Sequence, residues 1–327
     1  MKRNIRWGIL GPGAVSRKFA VGLRYAEGAE LVAVGSRSRE RAERFASEFG
    51  VRRVHVGYDA LADDDDIDAI YIGTPHSCHR EHTILCLRSG KHVICEKPFA
   101  INAAEASEMV RTAHRERRAL MEAMWMRFLP ALKKVRELVA EGAIGDIRRV
   151  TADFGFRAEF DPAHRLFDPT LGGGALLDVG VYGLSLAHML LGEPTRTNGM
   201  THLGETGVDE ESAVLLGYEN GSLAVLTMAV RVDSPGEALI LGTDGWIKIM
   251  SPWWASSRIS VKRPGREEST LEMPFKGNGY THEAEEFMEC IRTGRLESDV
   301  IPLSESLVIM RTMDEIRGQW GLRYPME

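Results

Sequence analysis

Apolar and polar positions over the first 125 residues follow two alternating periods. Continuous apolar runs of strand length occur at 5–11, 31–36, 69–74, 92–95 and 120–123. Stretches with helical spacing of apolar residues lie between them, at 14–25, 39–49, 79–88 and 103–117. Buried strands that alternate with helices form a parallel sheet covered on both faces. The pattern predicts a doubly wound α/β domain over residues 1–124.

After residue 125 the pattern changes to antiparallel signals. The apolar runs 212–218 and 223–230 flank Asn220-Gly221, and Asn-Gly between apolar runs is a strong hairpin signal. A second pair of runs flanks Thr243-Asp244-Gly245 in the same way. Helical spacing recurs at 130–141, 283–291 and 304–318. Residues 125–327 are therefore predicted to form an α+β domain, with a mostly antiparallel sheet and helices to one side.

Composition narrows the possible partners. The net charge is −6 without a basic block, which argues against nucleic acid. The four cysteines form no CxxC pair, which is typical of reduced thiols in a cytoplasmic protein. The chain opens on a strand rather than a signal peptide, and no apolar run approaches the roughly 18 residues of a membrane helix. We read the short run 63–66 of four aspartates as a solvated loop.

A glycine-rich turn follows the first strand and opens the first helix. It reads Gly11-Pro12-Gly13-Ala14-Val15-Ser16, a G-x-G-x-x-S sequence in the strand–turn–helix context of a dinucleotide site. Gly11 is expected to make the tight turn, and Gly13 to let a pyrophosphate approach the helix N-terminus. Ala14 and Val15 continue this phosphate-binding turn. Ser16 replaces the third glycine, and we expect it to loosen the packing of helix on strand slightly.

The end of the second strand bears on the choice between NAD and NADP. NAD enzymes place a carboxylate there for the ribose 2′-hydroxyl. This chain has Ser36 and Arg37, with Arg41 one turn later and no carboxylate before Glu40. Guanidinium groups bind phosphate through paired charge-assisted hydrogen bonds. The sequence predicts that NADP(H) is preferred, with NAD(H) still possible.

Thr74 and Pro75 end another predicted strand and are expected to line the nicotinamide side of the cleft. His79 is expected to start the following helix near the cofactor. His76, Cys78 and His82 lie close by in the sequence and raise the alternative of a zinc site. No complementary cluster occurs elsewhere, and structural zinc needs four ligands, so no metal is predicted.

Three polar residues have the chemistry of a proton-transfer site. Lys97 follows the strand 92–95 directly within Glu96-Lys97-Pro98, so its ammonium should lie at the carboxyl edge of the sheet, where ligands bind. Asp178 and Tyr182 follow the glycines at 172–174 and share a helix face at their spacing of four. A phenol is a weak base unless a nearby cation favours the phenolate. Lysine, carboxylate and phenol together suit hydride chemistry.

These motifs resemble one family. G-x-G at 11–13, T-P-x-x-x-H at 74–79, E-K-P at 96–98 and G-G-G-x-x-x-D-x-G-x-Y at 172–182 are similar to the glucose–fructose oxidoreductase, inositol dehydrogenase and rhizopine-catabolism (Gfo/Idh/MocA) family. Residues 122–130 and Tyr182 look most like the branch of dimeric trans-dihydrodiol dehydrogenases and NADP-dependent D-xylose dehydrogenases. The resemblance covers nearly the whole chain.

The resemblance implies a Rossmann domain followed by a domain with a large open sheet, through which a homodimer or homotetramer often forms. It implies that Lys97, Asp178 and Tyr182 are catalytic. It also places Trp125 and Tyr182 in the substrate pocket, with Arg127 as a partner for substrate or cofactor oxygens. Further residues implied at or near the cofactor or pocket are Glu96, Lys97, Tyr280 and His282. Trp253 and Trp254 either cover a pocket or lie in an oligomer contact.

The predicted function is hydride transfer between NADP(H) and a CH–OH or C=O group of a sugar, polyol or trans-dihydrodiol. Whether Lys97 or Tyr182 is the proximal acid–base group stays open, as does the direction of the reaction. Two alternatives remain. One is a redox-neutral glycoside hydrolase that uses NAD, and the other is a non-catalytic sensor that binds the nucleotide.

Overall fold

Two compact units make up the chain. The computed structural model describes residues 3–327 of the 327-residue sequence. The first unit comprises the chain up to Trp125 together with Lys276–Leu307, and the second comprises Met126–Phe275 with Val308–Glu327.

Within the described residues, the first unit contains a six-stranded sheet in which all neighbouring strands are parallel. Its strands are β1 (Ile5–Leu10), β2 (Ala29–Ser36), β3 (Arg53–Val56), β4 (Ala69–Ile72), β5 (His92–Glu96) and β6 (Leu120–Ala123). The intervening helices are α1 (Ala14–Leu23), α2 (Arg39–Phe49), α3 (Tyr58–Ala62), α4 (His79–Arg88) and α5 (Ala103–Glu116). The strand order β3-β2-β1-β4-β5-β6 reverses between β1 and β4, and open α/β sheets bind ligands at such a reversal.

Aromatic residues fill the core of this unit. Trp7 of β1 meets Phe19 of α1 edge-on at a centroid distance of 5.3 Å, and Phe19 stacks on Tyr71 of β4 at 3.9 Å. All three are fully buried, as are most residues of β1 and β4. Strands buried in this way read as continuous apolar runs, which is why the sequence predicts them well.

The segment Lys276–Leu307 belongs to the first unit, although the predicted boundary after residue 124 assigned it to the second domain. Its helix α8 (Tyr280–Thr293) packs against α1 and brings Phe287 to 5.8 Å from Trp7. The backbone N–H of Leu120 also donates to the carbonyl of Leu296. These contacts join residues distant along the chain, so local sequence patterns do not reveal them.

The second unit contains a sheet of eight strands, all within the described residues. They are β7 (Ile147–Gly155), β8 (Arg196–Leu203), β9 (Asp209–Gly217), β10 (Leu223–Ala229), β11 (Ala238–Gly242), β12 (Gly245–Ile249), β13 (Arg258–Lys262) and β14 (Ser269–Glu272). Their order is β14-β13-β12-β11-β7-β10-β9-β8, and all pairs are antiparallel except β7 with β10. The predicted mostly antiparallel sheet is therefore confirmed.

Both predicted hairpins are present. Gly217 pairs with Leu223 across the turn that contains Asn220-Gly221, and Gly221 adopts a φ of 81°. Gly242 pairs with Gly245 across Thr243-Asp244. A left-handed φ suits glycine because it has no Cβ, and this explains the hairpin signal in the sequence.

Helices cover one face of this sheet. They are α6 (Pro130–Ala140), which contacts β13, and α7 (Val181–Leu191), which contacts β7 and β10. A further helix, α9 (Leu303–Trp320), crosses the division between the units at Leu307. On β9 and β10 the alternate residues that point away from α7 are exposed, so this sheet alternates inward apolar with outward accessible positions.

Candidate active site

The glycine turn between β1 and α1 has the shape of a phosphate cradle. Gly11 has a φ of 86°, and a Cβ there would lie 2.7 Å from the methyl group of Thr74. Gly13 is the N-cap of α1 and has no side chain to bond the first amides of the helix. Those amides, which include Ala14 and Val15, can therefore meet an anion at the positive end of the helix dipole. The residues present thus fit the pyrophosphate of a dinucleotide.

The structure corrects the expectation that Ser16 loosens the helix. Ser16 is fully buried, and its hydroxyl donates to the carbonyl of Gly11 at 2.6 Å. It fits because Gly73 faces it: a Cβ on Gly73 would come closer than 3.0 Å to the Ser16 Oγ. The glycine needed for close packing is therefore Gly73, which follows β4, and not the third position of the G-x-G-x-x-S sequence.

The end of β2 presents the predicted cationic groups. Ser36 accepts a hydrogen bond from the N–H of Ser38, and Ser38 in turn caps α2 by accepting from the N–H of Arg41. The side chains of Arg37 and Arg41 are exposed. Arg37 lines a cavity of about 770 Å³ in the first unit. That volume lies in the range of small-molecule and cofactor pockets.

Residues of α3, of the loop after β4 and of α4 also line this cavity. Thr74 Oγ1 lies 3.0 Å from His82 Nδ1, and the His82 ring meets Tyr58 edge-on at 4.6 Å. Burial, with Arg37 adding to the effect, lowers the pKa of His82 to about 4. A neutral His82 adds no charge, so the positive groups that line the cavity are the guanidinium groups of Arg37, Arg80 and Arg88.

His79 begins α4, as predicted, and links two backbone segments. Its Nε2 lies 2.9 Å from the carbonyl of Thr74, and its Nδ1 lies 2.8 Å from the carbonyl of Pro98. Burial lowers the pKa of His79 to about 4, against the two carbonyls that raise it. Because a neutral imidazole has one N–H, it donates to one of these carbonyls at a time. His79 thereby ties the loop after β4 to the loop after β5.

Lys97 follows β5 directly and is half-buried. Its backbone N–H donates to Glu96 Oε2 at 3.2 Å, and Glu96 Oε1 accepts from the hydroxyl of Tyr71. The backbone at Lys97 is thus held on one side by Glu96 and on the other by the bond from His79 to Pro98. This arrangement fixes where the lysine leaves the sheet edge.

A buried acidic group next to Glu96 was not found by sequence reasoning. Glu283 of α8 is fully buried, and neither of its carboxyl oxygens has a hydrogen-bond partner within residues 3–327. Burial raises the pKa of Glu283 well above its ordinary range, and the charge of Glu96 raises it further. Burial and Glu96 also raise the pKa of Tyr71. No sequence signal marks Glu283, because it lies nearly two hundred residues from Glu96.

Trp125 and Tyr280, both implied for the substrate pocket or its surroundings, meet within the first unit. Their rings stack at 5.0 Å, and both side chains are more than nine-tenths buried. His282 is half-buried, and burial lowers its pKa.

In the second unit, the glycine run shapes the segment that carries Asp178 and Tyr182. Gly172 and Gly174 adopt φ values of 75° and 116°, and a Cβ on Gly173 would lie 2.8 Å from the carbonyl of Leu166. The chain then forms a π-helical turn, Leu176–Gly180, which leads directly into α7. Turns of this kind are frequent at functional sites.

Asp178 and Tyr182 are both more than nine-tenths buried. Asp178 Oδ1 accepts from Arg165 at 3.0 Å, and Oδ2 lies 3.5 Å from the other terminal nitrogen of the same guanidinium. Tyr182 meets the ring of Phe154 edge-on at 5.3 Å, and Phe154 stacks on Trp254 at 3.4 Å. Arg165 and Phe154 have no signal in the sequence, because neither belongs to a motif.

Arg127 is hydrogen-bonded to α7 within the second unit. It is only 2% exposed, and its guanidinium donates to the carbonyl and the hydroxyl of Ser185 on α7, at 2.9 and 3.2 Å. It therefore anchors α7, while the role predicted for it toward substrate or cofactor stays a prediction.

The predicted residues fall into two groups. The first unit brings the glycine turn, Thr74, Pro75, His79, Glu96 and Lys97 to the carboxyl ends of β1, β4 and β5, while the second unit carries Asp178 and Tyr182.

Residues 5–124 match the oxidoreductase family with an NAD-binding Rossmann fold, and residues 132–248 match the GFO/IDH/MocA C-terminal domain. The chain belongs to the GFO/IDH/MocA oxidoreductase family. The predicted family and fold class are confirmed, and the protein is an NAD(P)-dependent oxidoreductase.

Individual relatives of this GFO/IDH/MocA protein span its full length. It is 37% identical over 329 residues to trans-1,2-dihydrobenzene-1,2-diol dehydrogenase of Xenopus tropicalis, covering 98% of this chain and 99% of that one. An aldose-aldose oxidoreductase from Caulobacter crescentus, solved with glycerol, has a TM-score of 0.89 at 28% identity over 98% of this chain and 99% of that one. A 3-ketoreductase from Actinomadura kijaniata, solved with NADP and TDP-benzene, has a TM-score of 0.87 at 26% identity over 97% and 98%.

Two further findings concern membranes and metals. The helical stretch Pro169–Leu191 is long and apolar enough to cross a membrane, which corrects the expectation that no stretch approaches this length. Its most apolar window is 78% buried inside the protein, as in the core helix of a globular domain. Across residues 3–327, no group of three or more His, Cys, Asp or Glu side chains is arranged to hold a metal ion.

Proposed function

We propose that this protein transfers a hydride between NADP(H) and a CH–OH or C=O group of a trans-dihydrodiol, an aldose or a polyol. The observation that carries the proposal is the position of Lys97. It follows β5 at the carboxyl edge of the sheet, on a backbone fixed by Glu96 and Pro98, in the same unit as the glycine turn. The names of the relatives support a diol or sugar as the substrate class. When bound, the nicotinamide accepts or supplies the hydride.

The proton accompanying the hydride is assigned to Lys97, Asp178 and Tyr182. In the oxidative direction the substrate hydroxyl loses its proton while its carbon loses a hydride, and the product is a carbonyl compound. Tyr182 or Lys97 takes up that proton, and the ammonium form of lysine favours a phenolate. Asp178, whose carboxylate is oriented by Arg165, acts as the orienting third member.

The test is the rate of NADPH formation at 340 nm in Lys97→Ala, Tyr182→Phe and the double variant. Each single change should lower kcat by about 10²–10⁴, the usual contribution of an acid–base group. The double variant should lose little more than the worse single variant, because groups that act as a unit are non-additive.

Tyr218→Phe is the matched control. Tyr218 is a buried tyrosine of the second unit whose hydroxyl has no hydrogen-bond partner within residues 3–327. Its kcat should equal that of the parent protein. Losses below tenfold in both Lys97→Ala and Tyr182→Phe would refute the assignment.

We propose that NADP(H) is preferred over NAD(H). Ser36, Arg37 and Arg41 stand where NAD enzymes place a carboxylate, and Arg37 lines the cavity at the end of β2. The 3-ketoreductase neighbour was solved with NADP. Arg37→Ala with Arg41→Ala should lower kcat/KM for NADP⁺ by about 10- to 100-fold, since a hydrogen bond to a charged group contributes about 1.5–3 kcal/mol.

The same double variant should leave kcat/KM for NAD⁺ within about threefold, because NAD⁺ lacks the 2′-phosphate. Arg39→Ala is the control. Arg39 is an exposed arginine of the same helix that lies 3.6 Å from Glu43. Equal losses with both cofactors would contradict the proposed preference.

We also propose a cytoplasmic homo-oligomer that associates through the outer face of β8, β9 and β10. Four apolar side chains on this face are 38–81% exposed: Met200, Leu215, Leu223 and Val225. Contiguous exposed apolar surface marks interaction sites. All four cysteines are free thiols, as in a reducing compartment.

Light scattering after size exclusion tests the association. Leu215→Asp with Val225→Asp should yield monomers, whereas Val56→Asp, a change at an exposed apolar residue of the first unit, should not. A monomeric parent protein would contradict the proposal.

A further inference from the structure

A buried carboxylate holds the start of the segment that carries Asp178 and Tyr182. Asp209, the first residue of β9, is fully buried. Its Oδ2 accepts a hydrogen bond of 2.6 Å from the backbone N–H of Leu176, the first residue of the π-helical turn. The hydroxyl of Ser212 lies 3.5 Å from the same oxygen. The orientation of the turn is therefore fixed at its first amide.

The other carboxylate oxygen of Asp209, Oδ1, packs against Gly174 of the glycine run. A Cβ on Gly174 would come closer than 3.0 Å to Asp209 Oδ1, and Gly174 has a φ of 116°. A side chain at this position would be strained by its backbone conformation and would collide with the carboxylate. The third glycine of the run is therefore shaped to admit Asp209.

The C-terminal residues hold the same loop from a second point. The hydroxyl of Tyr324 donates to the carbonyl of Gly173 at 2.7 Å, and Tyr324 is 2% exposed. Arg317 lies 5.0 Å from the centre of the Tyr324 ring and binds both carboxylate oxygens of Glu327 at 2.8 and 2.9 Å. The tail is thus folded back onto α9 and carries Tyr324 to the glycine run.

We propose that Asp209 and Tyr324 are positioning residues for the catalytic segment Gly172–Tyr182. They act on two backbone groups, the N–H of Leu176 and the carbonyl of Gly173. This inference rests on the proposed function, because it takes Asp178 and Tyr182 as catalytic. Its consequence is that the polar atoms of Asp209 and Tyr324 set kcat rather than cofactor affinity.

The charge of Asp209 is not needed for this role. Burial raises its pKa to about 7, while the bonds from Leu176 and Ser212 and the charge of Arg317 act in the opposite direction. The ionisable groups that face it are Arg317 from α9 and Tyr324 from the tail. Leu176 needs only an acceptor oxygen, and an asparagine side chain supplies one.

The experiment compares Asp209→Asn with Asp209→Ala and adds Tyr324→Phe. Three quantities are measured on the full chain at a temperature where each variant is folded by circular dichroism. They are kcat, the Kd of NADPH by fluorescence titration, and the hydrogen-exchange rate of the Leu176 amide by mass spectrometry. Asp209→Ala should lower kcat by about 10- to 100-fold, the cost of a small misplacement of reacting groups.

The other readouts separate positioning from general damage. Asp209→Asn should restore kcat to within about threefold of the parent, because it keeps the acceptor. NADPH affinity should stay unchanged in every variant, and Leu176 should exchange faster only in Asp209→Ala. Tyr324→Phe should lower kcat without changing exchange at Leu176.

Two outcomes would overturn the inference. One is an unchanged kcat in Asp209→Ala and Tyr324→Phe, and the other is an equal loss in Asp209→Asn and Asp209→Ala. Failure of the proposed function looks different, because Tyr182→Phe would then keep full activity. Even if the proposed function fails, the hydrogen-exchange rate of the Leu176 amide shows whether Asp209 restrains the backbone there.

Discussion

Gly73→Ala should destabilise the protein, because the added Cβ would collide with the side chain of Ser16. The added Cβ would come closer than 3.0 Å to the Ser16 Oγ and within 3.1 Å of the Tyr71 ring. Gly73 does not have a left-handed φ, so the backbone itself tolerates alanine. Ser16 could yield only by breaking its 2.6 Å bond to the Gly11 carbonyl. Overpacking of this kind costs about 1–3 kcal/mol.

A second change in the same variant identifies the clash. Ser16→Gly alone loses a hydrogen bond, worth about 0.5–1.5 kcal/mol, and places glycine in a helix. Combined with Gly73→Ala, it removes the group that the new methyl would strike. The double variant should therefore be more stable than the sum of the two single effects predicts, by about 1 kcal/mol or more, within the range of couplings between contacting residues.

The assay is the melting temperature by circular dichroism, with the Kd of NADPH by fluorescence titration beside it. One kcal/mol corresponds to about 2–4 °C in a domain of 150–250 residues. Gly217→Ala is the control, because its Cβ would lie 3.7 Å from the nearest neighbour, at ordinary contact distance. Additive single effects, or a Gly73→Ala variant as stable as the Gly217→Ala control, would refute the packing described for Ser16.

Three further predictions concern charged groups. Arg165→Ala should lower kcat only about two- to fivefold, because its half-exposed pair with Asp178 is worth about 0.2–1 kcal/mol; a hundredfold loss in steady-state kinetics would contradict this. Arg317→Ala should destabilise the protein by about 1.5–3 kcal/mol in urea unfolding, because it removes the charge-assisted hydrogen bonds of a buried guanidinium to Glu327 and Asp314. Asp209→Asn should gain stability relative to the parent as pH rises from 4 to 7, by up to about 1.4 kcal/mol per pH unit. The sign follows because the folded parent keeps a proton on Asp209 up to a pKa of about 7, whereas the unfolded chain loses it near 4. Parallel pH–stability curves would contradict it.

Local sequence patterns predicted much of the fold. The buried strands of the first unit, the glycine turn and both hairpins were predicted because continuous apolar runs and Asn-Gly turns determine structure over a few residues. Strands β3, β8 and β14 were missed because they are largely polar and partly exposed at the sheet edges. The central strand β7 was also missed, because charged residues interrupt its apolar positions. Local periodicity gives no signal for strands of that kind.

Contacts between distant residues account for the rest of the candidate site. Ser16 was expected to loosen the packing of helix on strand. It packs closely because it faces Gly73, which is 57 positions away in the sequence. Asp209 bonds the backbone of Leu176 across 33 residues, and Tyr324 bonds that of Gly173 across 151. Motif spacing predicts Lys97, Asp178 and Tyr182 as candidate site residues, but the groups that hold their backbones come from other elements and belong to no motif.

The most direct test of the central claim is absorbance at 340 nm with purified protein, NADP⁺ or NAD⁺, and a panel of trans-dihydrodiols, aldoses and inositols. The account predicts NADPH formation with one of these substrate classes, and a kcat/KM for NAD⁺ at least about tenfold lower. No reduction of either cofactor with any panel member, while NADPH still binds by fluorescence titration, would contradict the proposed activity.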